Sequence, residues 1–235
     1  MRTELPVAHP VASGAPFDPS AADVSRSAAV ASAGVLHTPR LRIIPATAAH
    51  VAADLAGRDA LAALLGAAVP ASWPPGEYDA DAQRLFLDCL EADGTAGVGW
   101  YVWYAVRRAD AECEDTVVAA GGYAGPPTDA DGVELWFAVC PEWRGRGYGR
   151  ELVVTLAACA SRQHGGTAVT AQTMPENVHA LRVLTECGFA PEGTDADTGA
   201  LRFAYRPELL TWASPGDRDA NCGCPKSAAR RAAMT

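Results

Sequence analysis

Lysine is almost missing: one residue, Lys226, among 235. A phosphate loop of the Gly-Lys-Ser/Thr kind needs a lysine beside its glycines, and Lys226 lies far from any glycine loop of that type, so that chemistry is excluded. Positive charge is short altogether, with 19 Lys and Arg against 28 Asp and Glu and a net charge of −9. A general nucleic-acid binder needs a basic footprint to neutralise phosphates, so none is expected here. Long apolar runs are also lacking, and none reaches the roughly 18 residues that span a bilayer. The N-terminus carries Glu4, Pro6 and Pro10 where a signal peptide has a basic start and an apolar stretch. A cytoplasmic chain without membrane contact is the expectation. The seven cysteines are an odd number scattered through helix-like and strand-like segments, which reads as reduced thiols packed as small hydrophobes. Only Cys222 and Cys224 stand close together, and they lack further ligands at metal spacing, so no metal is expected.

What is present suffices for one domain. The hydrophobic fraction of 49% owes much to alanine, which thins the core-forming residues but leaves enough of them. Residues 1–34 are rich in Ala, Ser, Pro and Asp without a sustained period and read as a disordered extension, and 213–235 read as a flexible tail. Between them, 35–212 form a single unit with no linker and no repeat. "PRLRIIPAT" alternates as a strand, and Ala/Leu helices follow over 48–56 and 59–66. "WPP" lies in an extended loop, and 79–92 places Ala82, Leu85, Phe86, Cys89 and Leu90 on one helical face. Strands at 100–107 and 116–125 pair as a hairpin. In 133–139, Val133, Leu135, Phe137 and Val139 take one face and Glu134, Trp136 and Ala138 the other. Leu152, Val153, Leu156, Ala157 and Ala160 mark a helix to about His164; "AVTAQT" is a strand, 178–187 a helix, and "LRFAYR" a last strand. The order β-α-α-α-β-β-β-loop-α-β-α-β, with tight turns and one central β-loop-α-β unit, predicts a mixed sheet with helices on its faces.

The centre of that unit reads "PEWRGRGYGREL". A strand that runs through glycines into a helix is an anion site: the first helical amides lack internal partners, and glycine lets backbone approach phosphate oxygens. Arg144, Arg146 and Arg150 surround it with positive charge. A phosphate or pyrophosphate suits the loop, and a plain turn is the alternative. The spacing Gly145, Gly147, Gly149 is not the G-x-G-x-x-G of dinucleotide folds, and the strand that follows lacks their ribose-binding acid.

Across 36–207 the chain resembles the GNAT superfamily of N-acetyltransferases. Arg144, Gly147 and Gly149 match that family's Gln/Arg-x-x-Gly-x-Gly/Ala loop, and "NVHALRVLTECGF" is similar to its second block. "TPRLRI" and "WPP" look most like the group containing ribosomal-protein N-terminal acetyltransferases. The resemblance implies an α/β GNAT fold with a mixed, mostly antiparallel sheet of six to seven strands and helices on both faces. It implies that acetyl-CoA rests its pyrophosphate on Gly145, Arg146, Gly147, Tyr148, Gly149 and Arg150. The pantetheine then lies between the strand of Phe137 and Val139 and the splayed strand "AVTAQT", with a backbone N–H near Val139 on the thioester carbonyl. The acceptor is a primary amine, either a protein N-terminus or a small amine, and a homodimer is compatible with the family.

An attacking amine arrives mostly as ammonium and must lose a proton. Glu134 is the chosen base, with a solvated strand glutamate as the alternative. Asn177 matches the family's cofactor-contacting asparagine and also suits a helix N-cap. The family's tyrosine acid falls here on Leu184, which leaves Tyr123, Tyr148 or departure of CoA as thiolate. Cys140, although beside the loop, is not needed as a nucleophile. A catalytically silent acyl-CoA-binding regulatory module is the alternative function.

Overall fold

In the computed structural model, residues 34–111, 113–127, 132–163 and 168–210 are described. The tail assignments at 1–33 and 211–235, with Cys222 and Cys224, fall outside them. Eight strands form one sheet in the order β1-β2-β3-β4-β5-β6-β8-β7. They are β1 (Leu36–His37), β2 (Leu41–Pro45), β3 (Trp103–Arg107), β4 (Thr116–Tyr123), β5 (Val133–Val139), β6 (Val169–Thr173), β7 (Phe189–Thr194) and β8 (Leu201–Tyr205). Every neighbouring pair is antiparallel except β5 with β6.

The expected count of six to seven strands is therefore low. The two-residue β1 is too short to show a period. β7 carries Pro191 and Gly193, which read as a break; the sheet accepts them because β7 is its edge and its register slips between those residues. The helices are α1 (Ala48–Ala56), α2 (Arg58–Leu65), α3 (Ala80–Asp93), α4 (Tyr148–Gln163) and α5 (Val178–Glu186). None of the described helices is long and apolar enough to cross a membrane.

The alternation read in β5 sets the two layers. Its Phe137 and Val139 side chains meet α4 at Gly149, while Trp136 on the other face stacks on Tyr78 and on Phe86 of α3. Leu152, Val153, Leu156, Ala157 and Ala160 are all buried, as their spacing predicts. The predicted face of α3 is rotated. Leu85 is exposed, whereas Gln83 is buried and Leu87 packs on the core. The predicted Phe86, Cys89 and Leu90 do pack on the core, and the stripe extends to 83 and 87, where a polar residue at its first position hides it.

The link 66–79 between α2 and α3 is pinned by a buried carboxylate. Asp54 of α1 accepts hydrogen bonds from Trp73 Nε1 (2.7 Å), Tyr78 OH (3.1 Å) and Tyr104 OH (3.0 Å). Burial pushes its pKa above the ordinary 3.8, against the pull of those three donors. The folded state thus holds this proton more tightly than the unfolded chain. The contribution to stability is full below 3.8 and fades as pH rises through the folded pKa. Asp54→Ala leaves three buried donors stranded and is expected to lower the unfolding free energy by about 3 kcal/mol, read as a lower urea midpoint at unchanged slope. Asp54→Asn keeps one acceptor, loses less, and flattens the pH dependence.

Candidate active site

The glycine loop separates two strands that begin together. β5 and β6 pair only at Val133↔Val169 and Glu134↔Thr170. Beyond that point β6 stays bonded to β8 over Thr170–Thr173, while β5 stays with β4 to Val139. The two strands open like a V. Ala124 N–H donates to the Glu134 carbonyl and Cys140 N–H to the Val118 carbonyl, so even-numbered β5 residues address β4. The odd-numbered ones address β6, and within the V the N–H groups of Phe137 and Val139 have no strand opposite. The Val139 carbonyl is taken by Arg144 Nε at 3.0 Å.

At the open end, the chain turns through a short 3-10 helix, Pro141–Trp143, into the loop. Gly145 (φ 72°) and Gly147 (φ 82°) take left-handed backbone that other residues adopt at a cost. Gly149 serves closeness instead: a Cβ there would lie 3.1 Å from Val139 Cγ2, so glycine lets α4 settle on β5. Gly147 accepts the first α4 hydrogen bond from Glu151 N–H, which makes it the N-cap, and it has no side chain to satisfy the amides behind it. Among the described residues, the N–H groups of Gly145, Gly147, Tyr148 and Gly149 meet no acceptor. This is the cradle that a phosphate needs.

Two residues far apart in sequence hold the cradle in place. Arg40, in the β1–β2 turn, donates to Glu151 from its backbone N–H (3.0 Å) and Nε (2.7 Å), and from Nη1 to the Arg146 carbonyl (2.8 Å). Its guanidinium lies 4.7 Å over the Tyr148 ring. The Thr38 hydroxyl also donates to Glu151. Nothing local in the sequence marks this clamp, because its members are 111 residues apart. Of the predicted phosphate ligands, Arg144 is bound to Val139, and Arg146 lies 4.8 Å over the Trp143 ring. Arg150 lies 3.8 Å from Glu186. The arginines brace the loop, and the backbone amides are left to face an anion.

Glu134 sits where the V closes, on the face opposite α4. Gln172 Nε2, across the gap on β6, donates to Glu134 Oε2 at 3.2 Å. Partial desolvation raises the Glu134 pKa, opposed by that hydrogen bond and by the charge of Arg202. Gln172 was missed in the sequence, although period two places it on the Thr170 face and so beside Glu134. Asn177 caps α5, accepting from Ala180 N–H at 3.1 Å, just beyond the end of β6.

The two tyrosines considered as acids are engaged elsewhere. Tyr123 is buried and donates to the Leu156 carbonyl at 2.8 Å; Tyr148 is buried and accepts from Arg107 Nε at 3.2 Å. Leu184 is core. Cys140 is fully buried, and burial pushes its thiol up to about 12, which suits an inert thiol. Trp73, Trp100 and Trp103 are buried as well, so they pack the core. His50 closes a capping box with Thr47 at the start of α1. Among the described residues, no group of three or more His, Cys, Asp or Glu could hold a metal.

Comparison with known proteins agrees with this geometry. The sequence profile of the Acetyltransferase (GNAT) domain matches residues 40–190. No curated protein sequence matches significantly. A Bordetella pertussis protein assigned to the GnaT-family acetyltransferases superposes with TM-score 0.52 and 21% identity, over 73% of this chain and 99% of that one. An acetyltransferase from Agrobacterium tumefaciens str. C58 gives TM-score 0.50 and 20% identity, over 73% and 94%. A Vibrio cholerae protein assigned as a ribosomal-protein-serine acetyltransferase gives 0.49 and 15%, over 74% and 97%. At these identities the likeness to solved structures is one of fold.

The clamp has a measurable consequence. Arg40→Ala releases Glu151 and the Arg146 carbonyl together and is expected to weaken acetyl-CoA binding about tenfold by calorimetry, with little change in thermal stability because Arg40 is nearly half exposed and Thr38 still donates to the mostly buried Glu151. Unchanged affinity would mean that the loop holds its shape without Arg40.

Proposed function

The chain belongs to the GNAT acetyltransferase family, and from that premise we propose that it moves an acetyl group from acetyl-CoA to a primary amine by direct attack on the thioester. One observation carries this reading: the V between β5 and β6, with unpaired N–H groups along one arm and uncapped helix amides at its mouth. The fit to acetyl-CoA is chemical. The amides and glycines of 145–149 suit a pyrophosphate, and the arm with Phe137 and Val139 suits an extended amide-bearing chain laid along it. Acetyl-CoA supplies an activated acyl carbonyl. The Val139 N–H, fixed by the sheet, donates toward the oxygen on which negative charge develops during attack.

The amine comes from the opposite face, where Glu134 takes its proton. A raised pKa makes this carboxylate a better base. Gln172 occupies one carboxylate oxygen and leaves the other for the amine. With Tyr123 and Tyr148 engaged elsewhere, CoA departs as the thiolate. Neither a protein N-terminus nor a small amine is singled out as acceptor by this half of the site.

Two measurements test the reading. Gly147→Trp puts a bulky residue into left-handed backbone, with a Cβ 3.2 Å from Arg40, and is expected to abolish acetyl-CoA binding that the wild type shows. Binding to neither protein would sink the assignment of the loop. Glu134→Gln is expected to lower kcat/KM about a hundredfold or more and to remove the acid limb of its pH profile, a limb set above the ordinary carboxylate value of 4.5. Cys140→Ala keeps full turnover. Tight binding by the wild type without thiol release for any amine would favour the silent acyl-CoA-binding module.

A further inference from the structure

The acceptor side of the V carries a cation that the transfer chemistry does not call for. Glu134 faces Thr170 across the parallel pair, Gln172 lies two residues further along β6, and Arg202 is the direct partner of Gln172 on β8. With side chains alternating along each strand, Glu134, Gln172 and Arg202 form a row on one face of three adjacent strands, opposite α4. Arg202 is exposed, and its charge reaches Glu134. Among the described residues it makes no ion pair and no side-chain hydrogen bond.

Asp195, the acid that also feels Arg202 and whose charge opposes it at Glu134, spends one carboxylate oxygen on its own turn. Its Oδ1 accepts from Asp197 N–H (3.1 Å), Thr198 N–H (2.9 Å) and the Thr198 hydroxyl (2.8 Å), closing the turn between β7 and β8. On the other flank of Glu134 the wall is aromatic, with Trp136 stacked 5.2 Å from Phe86 and 5.3 Å from Tyr78.

A guanidinium beside a general base works against it. It favours the ionised carboxylate, which lowers basicity, and it repels an incoming ammonium. Both costs are offset when the acceptor brings its own negative charge. A planar guanidinium fork beside a side-chain amide is well made for a carboxylate.

Resting on the amine-transfer reading, we propose that Arg202 and Gln172 hold an anionic group of the acceptor, so that the amine delivered to Glu134 belongs to a molecule of the amino-acid class. Neighbouring strands are about 4.8 Å apart, so the strand of Arg202 lies two spacings from that of Glu134, and amine and carboxylate sit at opposite ends of a short chain. A polycationic amine meets Arg202 as a like charge.

Three acceptors of equal length test this: 6-aminohexanoate, 6-aminohexanamide and 1,6-diaminohexane, with thiol release measured for the wild type, Arg202→Gln and Arg202→Lys. The wild type is expected to favour the carboxylate over its amide by about tenfold or more in kcat/KM, carried by KM, as a charge-assisted contact implies, with the diamine last. Arg202→Gln should erase that order, and Arg202→Lys should retain part of it. Equal use of the carboxylate and amide by the wild type, preference for the diamine, or an Arg202→Gln loss spread evenly over all three overturns the inference and leaves amine acetylation standing. Absence of thiol release with every amine, despite acetyl-CoA binding, overturns the proposed function and this inference with it.

Discussion

A strand inside a sheet has to place every N–H and C=O it carries, and β5 is given a partner on only one side for most of its length. β6 cannot follow it, because the far edge of β6 is bonded to β8 from Thr170 to Thr173. After two parallel pairs, the odd-numbered amides of β5 therefore face a gap. Phe137 and Val139 are half-buried, so these amides are open to water and to an extended chain laid along the gap. The Val139 carbonyl escapes through Arg144, and that one contact also draws the loop back over the end of the strand.

The rest of the site follows from the gap and its mouth. The loop that leaves β5 and the turn that leaves β6 stand on either side of the opening, so the amides at the start of α4 and the Asn177 cap of α5 both border it. On a chain with a net charge of −9, electrostatic attraction from the body of the protein cannot gather an anion there. Local geometry must do so. The arginines around the loop spend much of their bonding on Val139, the Arg146 carbonyl, Glu151, Trp143 and Glu186, which stiffens the backbone and leaves its N–H groups aimed outward. A rigid row of amides loses little entropy when a phosphate arrives.

How much of this was legible depended on sequence distance. The two faces of β5, the buried stripe of α4 and the glycine loop each repeat within a few residues, and period alone located them. The Arg40–Glu151 clamp could not be read, because Glu151 looks like any acid in a first helical turn and Arg40 like any residue in a polar turn. β7 was lost to Pro191 and Gly193, whose local message is correct and is overruled by a place at the sheet edge. Gln172 lay between these cases. Its face followed from alternation, but its value came only with the parallel pairing that sets β6 beside Glu134. Arg144 was found by motif, and its Nε contact with the Val139 carbonyl came only with the fold, since a motif records which residue recurs and not which atom it touches.

Glu134 and the loop lie on opposite faces of one sheet, and that separation has a physical consequence. Anion-binding amides and a proton-accepting carboxylate would weaken each other if they shared a surface: the positive end of α4 would hold Glu134 ionised and less basic, and the carboxylate would repel phosphate. The sheet keeps them apart, and the V opens between them. Rigidity on the second side comes from elsewhere. Asp54 ties Trp73 and Tyr78 to Tyr104, and Tyr78 in turn stacks on Trp136, two residues from both Ala138 and Glu134. A buried carboxylate thus fixes the aromatic wall beside Glu134, and the free amides of β5 stay in line with it because the same strand carries both.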